Sequence, residues 1–365
     1  MNKLLYGLLF VTVVVVNTFL ILIAVSVATG DTNRLFSFAQ SHKVEPADIK
    51  TAQAEEKIPS DTVTISFVGD CTLGCFQGSD NQFGKYYAQN GADYFMSKVR
   101  QIFIDDDITC VNLEGPLTEN PQILKKQYPI KGEPWYVNVL KGSGIEVCNL
   151  ANNHIMDCGE KGFLDTVNVL ENNDIHVCGE QHISRIVTNG ATVFFLGYHG
   201  WEDTPSIRKQ ISDDIKACKD SYKNSIVCVQ FHWGEERKYY PNTTQTGLAH
   251  CAIDSGADCV VGAHPHVIQG IEKYRGKVIA YSLGNFCFGA NNNPSDKDTI
   301  ILRQTYKNDG KIIKTEVIPC LISSRTDTND FCPTVLSGTE GARVISRMKD
   351  YSRPFAETID MLKVY

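Results

Sequence analysis

The chain contains no Cys-x-x-Cys pair, no block of basic residues and no internal repeat in its 365 residues. The first absence argues against a cysteine-built zinc site. The second, with a formal net charge of −7 and no interleaving of aromatic and basic residues, argues against a nucleic-acid partner. The third leaves no array of like units to consider. Anionic ligands stay open, because a bound metal ion overrides the mean field locally. Cysteine is not scarce. Thirteen are scattered from Cys71 to Cys332, whereas secreted disulfide scaffolds are short and even-numbered. Many sit inside apolar runs, as in Ile226-Val227-Cys228-Val229 and Asp258-Cys259-Val260-Val261, where cysteine behaves as a small buried hydrophobe. Free thiols on an exported domain imply a reducing exterior.

Export is suggested by the one long apolar run, residues 4–28, broken only mildly by Thr12, Asn17, Thr18 and Ser26. At about 1.5 Å per residue it is long enough to cross a ~30 Å hydrocarbon core. Lys3 precedes it, and Asp31 and Arg34 follow, which favours a cytoplasmic start with everything after residue 30 outside. Ser26-Val27-Ala28 resembles a signal-peptide cleavage site, but the run exceeds the ~7–15 residues of a usual signal h-region. The expectation is a single-pass anchor over residues 1–30 in the cell membrane. A polar tether with Pro46 and Pro59 fills 31–60. An extracytoplasmic domain over 61–322 and a C-terminal extension over 323–365, packed on that domain, complete the chain.

Within the domain, short β-branched runs alternate with amphipathic stretches. Strands are expected at 63–68, 108–113, 145–150, 175–178, 192–197, 225–231, 259–262 and 277–282. Helices are expected at 94–103, 162–172, 206–221 and 243–255. Such alternation argues for an α/β fold with much parallel pairing. Segments 298–303 and 311–320, joined across Asn308-Asp309-Gly310, read as a β-hairpin. A last helix is expected around 341–349.

Six polar motifs end apolar runs: Val68-Gly69-Asp70, Asn112-Leu113-Glu114-Gly115, Ala151-Asn152-Asn153-His154, Phe231-His232-Trp233-Gly234, Gly262-Ala263-His264-Pro265-His266 and Ser282-Leu283-Gly284-Asn285. Asp, Glu, Asn and His are the oxygen and imidazole donors for divalent metals. In open α/β sheets ligands gather at the carboxyl ends of strands, where Asp70, Glu114, Asn153, His232 and His264 all fall. His264 and His266, two apart on an extended segment with Pro265 between them, are expected to project to one side; a satisfied His turn is the alternative. Asn153 is either a metal ligand or a helix cap, and His154 an acid or electrostatic donor to a substrate oxygen. Asp70 alone would be a turn residue, and His232 alone a structural one. Glu114 must find a partner if buried. Glu236 reaches the site or belongs to a solvated face; Asn112, Glu236 and Asn285 are the candidates for substrate contact.

Together with His-Trp-Gly-Glu-Glu from 232 and Tyr-Ser-Leu-Gly-Asn-Phe from 281, these motifs resemble, in order and over about residues 62–320, the poly-γ-glutamate capsule biosynthesis (CapA-like) family. That family is related to the calcineurin-like metallophosphoesterases. The resemblance implies two packed β-sheets flanked by helices in a four-layer sandwich. It also implies one or two divalent ions (Mn, Fe or Zn) held by Asp70, Glu114, Asn153, His232, His264 and His266, with His154 catalytic. Two departures bear on the site. Thr72 stands where the phosphoesterase Asp-x-His motif has its histidine, and Asn112-Leu113-Glu114 replaces Gly-Asp-x-x-Asp, so Glu114 would have to bridge.

Three functions follow as expectations. The first is a membrane-anchored part of poly-γ-glutamate synthesis or export, partnered with synthase subunits. The second is a metal-dependent hydrolase acting on a phosphoester or another envelope component. The third is a non-catalytic module that binds an anionic polymer.

Overall fold

A computed structural model of the chain describes residues 61–358; the expected anchor and tether lie outside the described residues. No helix among the described residues is long and apolar enough to cross a membrane.

The first half of the domain runs β1 (Thr62–Thr72), β2 (Cys75–Phe76), α1 (Gln82–Asn90), α2 (Arg100–Ile104), β3 (Ile108–Leu113), β4 (Ile130–Lys131), α3 (Val137–Ser143), β5 (Val147–Asn149), α4 (Gly159–Glu171) and β6 (His176–Cys178). The second half runs β7 (Ile183–Thr188), β8 (Ala191–Gly200), α5 (Pro205–Ser221), β9 (Ile226–Trp233), α6 (Thr243–Asp254), β10 (Cys259–Ala263), β11 (Ile271–Tyr274), β12 (Lys277–Ala280), β13 (Asn285–Phe288), β14 (Asp298–Lys307), β15 (Ile312–Leu321), β16 (Thr334–Val335) and α7 (Gly338–Ser352).

Two sheets result. One has the order β16-β15-β14-β1-β3-β5-β6, with β13 also on β1; the other has the order β11-β12-β10-β9-β8-β7. β1, β3, β5 and β6 are mutually parallel, as are β8, β9, β10 and β12. Side-chain alternation assigns the layers. Val63, Ile65, Phe67, Ile108 and Cys110 from the first sheet share a core with Phe195, Cys228 and Val261 from the second. Val111, Leu113 and Cys148 face the opposite way, toward Phe83, Leu140 and Leu170 on α1, α3 and α4. Phe194, Val227 and Val229 face Ile211, Leu248 and Ala252 on α5 and α6. Helices therefore cover both outer faces of two packed sheets, as expected.

The same alternation delivers the site. Along the buried layer between the sheets, Cys110 is followed by Asn112, Val147 by Asn149, and Cys228 by Gln230 and then His232. The inter-sheet core thus turns from apolar to polar at the carboxyl ends of the parallel strands.

The helix expected at 94–103 is corrected. The segment is a 3₁₀ turn at Ala92–Tyr94, further turns, and the short α2. Its apolar positions are buried, but Ser97 Oγ bonds back to the Tyr94 carbonyl at 2.9 Å, which competes with the helical ladder. The strand expected at 145–150 shrinks to the three residues of β5. The hairpin forms as β14 and β15, and the last helix as α7, whose Val344, Ile345 and Met348 close one side of the inter-sheet core.

Candidate metal-binding site

Asp70 lies inside β1, which runs past the expected end because β13 pairs with it there, Asp70 opposite Asn285. The approach is close enough that a Cβ on Gly69 would stand 1.8 Å from the Gly284 carbonyl oxygen, so the residue before Asp70 must be glycine. Asp70 is also in register with Asn112 on β3, and Asn112 with Asn149 on β5. On the facing sheet His199, His232 and Ala263 form the corresponding row.

Asn112 Nδ2 donates to Asp70 Oδ1 at 2.8 Å and lies 3.3 Å from His232 Nδ1, while Asn149 Nδ2 donates to Asn112 Oδ1 at 3.1 Å. The expectation of substrate contact by Asn112 is therefore corrected. At 1 % exposure, with its amide spent on Asp70 and His232, it fixes the donors from behind.

The His-Pro-His segment is not extended. His264 has φ +94° and His266 φ +57°, so the two rings converge through a tight turn rather than by strand alternation. Asp70 holds that turn: its carboxylate accepts from the His264 amide at 3.2–3.3 Å and from His266 Nδ1 at 3.1 Å. His266 Nδ1 also lies 2.9 Å from Asn285 Oδ1.

Glu114, just past β3, is the centre of the group. It is 1 % exposed, and neither carboxylate oxygen has a hydrogen-bond partner. Oε1 lies 3.8 Å from His154 Nε2, 3.8 Å from His232 Nε2 and 3.9 Å from His266 Nε2. His264 Nδ1 is likewise buried without a partner. Donor atoms of Glu114, His232 and His264 lie within 4.8 Å of one another, and so do those of Asp70, Glu114 and His266; the two triads share Glu114. Asn153 Oδ1 meets His232 Nε2 at 2.8 Å. Trp201 packs edge-on against His264 and His232, with ring centroids 4.8 and 5.7 Å away.

Burial pushes Glu114 up to about 8 against the pull of His266. Burial also opposes charge on His266, but Glu114 and then Asp70 outweigh it and raise His266 to about 10. Burial and the neighbouring imidazolium drop His264 to about 4, and burial with His264 holds His232 well below its usual value.

Asp157 and Lys126 were not foreseen. Asp157, 1 % exposed, accepts from His154 Nδ1 at 2.7 Å, from the Ile130 amide at 2.7 Å and from Lys126 Nζ at 2.6 Å. A carboxylate only accepts, so His154 carries its proton on Nδ1 and presents Nε2 to Glu114. Asn153-His154-Ile155-Met156-Asp157 held a signal in its His-x-x-Asp spacing; nothing in the sequence pointed to Lys126. Glu114, Asn153, His154, Glu236, His266 and Asn285 line a cavity of about 560 Å³, while Asp70, Asn112, His232 and His264 do not.

Fold and site together define an α/β two-sheet protein with an acid–imidazole donor cluster at the carboxyl edge of its parallel strands. The chain belongs to the family described as Bacterial capsule synthesis protein PGA_cap, whose model matches residues 64–290. It is 34 % identical over 274 residues to the PGA biosynthesis protein CapA of Bacillus subtilis, covering 70 % of this chain and 69 % of the relative. It is 30 % identical to the capsule biosynthesis protein CapA of Bacillus anthracis, over 71 % and 67 % of the two chains. A probable polyglutamine synthesis accessory protein of Mycobacterium tuberculosis is 27 % identical over 66 % of this chain and 75 % of its own. Among solved structures, a Thermus thermophilus protein overlaps at TM-score 0.37 and 12 % identity, covering 68 % of this chain and 97 % of that one. Purple acid phosphatase from yellow lupin seeds overlaps at 0.34 and 10 %, covering 70 % and 53 %.

Proposed function

We propose that this chain is a membrane-anchored, extracytoplasmic component of poly-γ-glutamate synthesis or export, acting beside membrane synthase subunits through a divalent-metal site. The polymer is inferred from the described functions of its CapA relatives. The anchor is residues 4–28, an apolar run with its charge on the N-terminal side.

The observation that carries the metal is Glu114. An ionised carboxylate buried with both oxygens unpartnered is costly unless a cation completes it. Hard oxygen and borderline imidazole donors suit Mn, Fe or Zn. Asp70, Glu114, His232, His264 and His266 would hold the metal, with Asn153 beside them; two triads sharing Glu114 make room for one ion or two. A divalent ion there supplies Lewis acidity toward a phosphoryl or carbonyl oxygen and acidifies water.

The chain's own residues do the rest. Asp157 fixes the His154 ring through Nδ1, which turns Nε2 toward Glu114, where a substrate or leaving oxygen would lie. Lys126 neutralises Asp157, and Asn112 and Asn149 hold Asp70 and His232 rigid. The His154–Asp157 pair favours a second reading, a metal-dependent hydrolase of an envelope phosphoester or amide.

Elemental mass spectrometry on the purified full chain tests the site, beside a His232→Ala/His264→Ala variant. Near-stoichiometric Mn, Fe or Zn, absent from the variant, is expected. No metal in either protein after reconstitution overturns it and leaves a metal-free polymer-binding role. Turnover of a generic phosphoester that a chelator abolishes would support the hydrolase.

A further inference from the structure

Beside His266, the cavity next to Glu114 carries Lys126 and Arg237 on its wall, and they differ in what they are free to do. Lys126 Nζ is consumed: it pairs with Asp157 at 2.6 Å and donates to the Asn153 carbonyl at 2.8 Å. The carboxylate of Asp296, on the same wall, is also consumed, its Oδ2 lying 2.6 Å from Arg347 Nη2. Glu236, exposed, is on the same wall. Among the described residues the guanidinium of Arg237 makes no ion pair and no hydrogen bond, although its side chain lines the cavity.

Its backbone, by contrast, is pinned. The Arg237 amide donates to the Pro265 carbonyl at 2.8 Å, and the residue is held at φ +61°, where an L side chain is strained. The bond ties the Arg237 backbone to the turn that carries His264 and His266, so the exposed side chain starts from a fixed point beside the donor cluster. Another wall is apolar: Phe76 and Tyr128 pack with ring centroids 5.1 Å apart, and Tyr128 is more than half exposed. A ligand that satisfies this cavity therefore brings an anionic oxygen pair for the guanidinium and methylene groups for the rings, with a polar linkage at Glu114.

We propose that Arg237 is the anion-recognition residue of this site and that it takes a side carboxylate of a γ-glutamyl chain, bidentate, while the adjoining linkage lies at the donor cluster. The inference rests on the metal-site and polymer reading above and names the residue of that site that recognises the polymer's carboxylates. A planar guanidinium matches a carboxylate with two parallel N–H···O bonds, which lysine cannot reproduce. Phosphate offers the same shared oxyanion chemistry, and the test separates the two.

Isothermal titration of the metal-loaded full chain with a γ-linked glutamate oligomer, with the same oligomer fully α-amidated, and with inorganic phosphate provides that test. The proteins are wild type, Arg237→Ala, Arg237→Lys and, for the metal, Asp70→Asn. Wild type is expected to bind the acidic oligomer at least about tenfold more tightly than the amidated one. Arg237→Ala should lose that discrimination without weakening the amidated oligomer further, and Arg237→Lys should retain part of it. Acidic-oligomer affinity unchanged in Arg237→Ala but lost in Asp70→Asn would overturn the role of Arg237 and leave the metal site standing. Loss of phosphate binding in Arg237→Ala, with the two oligomers bound alike by wild type, would overturn the carboxylate assignment. Absence of binding by every protein would overturn both readings.

Discussion

His264 combines two demands at one residue. Its amide is fixed by Asp70 and its ring faces Glu114 and His232, and the backbone reaches both only at φ +94°. A non-glycine residue there stores strain of about 1–2 kcal/mol. Replacing the ring should therefore have two separable effects. His264→Ala removes a donor and keeps the strain; His264→Gly removes the donor and relieves it. Both variants are expected to lose bound metal, while metal-free His264→Gly should be more stable than metal-free His264→Ala by about 1 kcal/mol. Urea denaturation in chelator, beside elemental analysis, reads both. Equal stabilities would mean the turn is shaped by its surroundings rather than by a strained residue.

Among elements, α7 and β14 act as one unit. Asp298 opens β14 with its side chain almost fully buried, and accepts Arg343 through two bonds of 2.6 and 2.7 Å as well as Arg347. Arg347 also binds Asp296 in the loop that lines the cavity. Removing Asp298 takes the buried shared partner from both guanidiniums and leaves Arg347 on Asp296 and Arg343 on Glu340, so Asp298→Ala is expected to cost about 2 kcal/mol. Arg343 is 41 % exposed, and Asp298 keeps Arg347 without it, so Arg343→Ala should cost less than about 1 kcal/mol. Denaturant midpoints would check the order, and the reverse order would remove the clamp. The helix gave only a weak signal around 341–349, short of its full Gly338–Ser352; the clamp gave none, because Asp296 and Asp298 lie far along the chain from Arg343 and Arg347. The same division runs through the domain. Buried parallel strands such as 108–113 and 259–262 announce themselves as β-branched runs. Edge strand β7 does not, since Ile183, Arg185 and Val187 all face solvent and mimic a loop. At the site, the donors carried on motifs were legible from the residues, but the turn geometry of His-Pro-His and the placing of Lys126 are tertiary. Asn112 was misplaced because an asparagine after an apolar run reads alike whether it faces ligand or props up a neighbour.

For the whole molecule, the two ends of the parallel strands carry opposite electrostatic problems. At the carboxyl end the buried acids wait for cations. Where the parallel strands begin, Asp106 and Glu146 are half-buried, with Arg303 acting on Asp106: Asp106 accepts from Thr109 Oγ1 at 2.9 Å, and Glu146 from the Thr109 amide at 2.8 Å. Burial pushes Asp106 up to about 7, with Ser66, Thr109 and Arg303 only partly opposing it. Burial pushes Glu146 to about 7 as well, and the charge of Asp106 adds to the rise. In the unfolded chain both release their protons near pH 4. Between about pH 4 and 7 the folded state therefore binds more protons than the unfolded state, and stability falls as pH rises through that window. Above it the loss is complete. Asp106→Asn keeps an acceptor for Thr109 and removes one of the two titrations. It should therefore leave stability near pH 4 almost unchanged and raise it by roughly 1–2 kcal/mol at pH 8. Denaturant unfolding of both proteins across pH 4–8, in chelator so that the Glu114 cluster is the same in each, gives the difference directly. A constant difference across that range would show that Asp106 is already ionised in the fold, its burial balanced by Arg303.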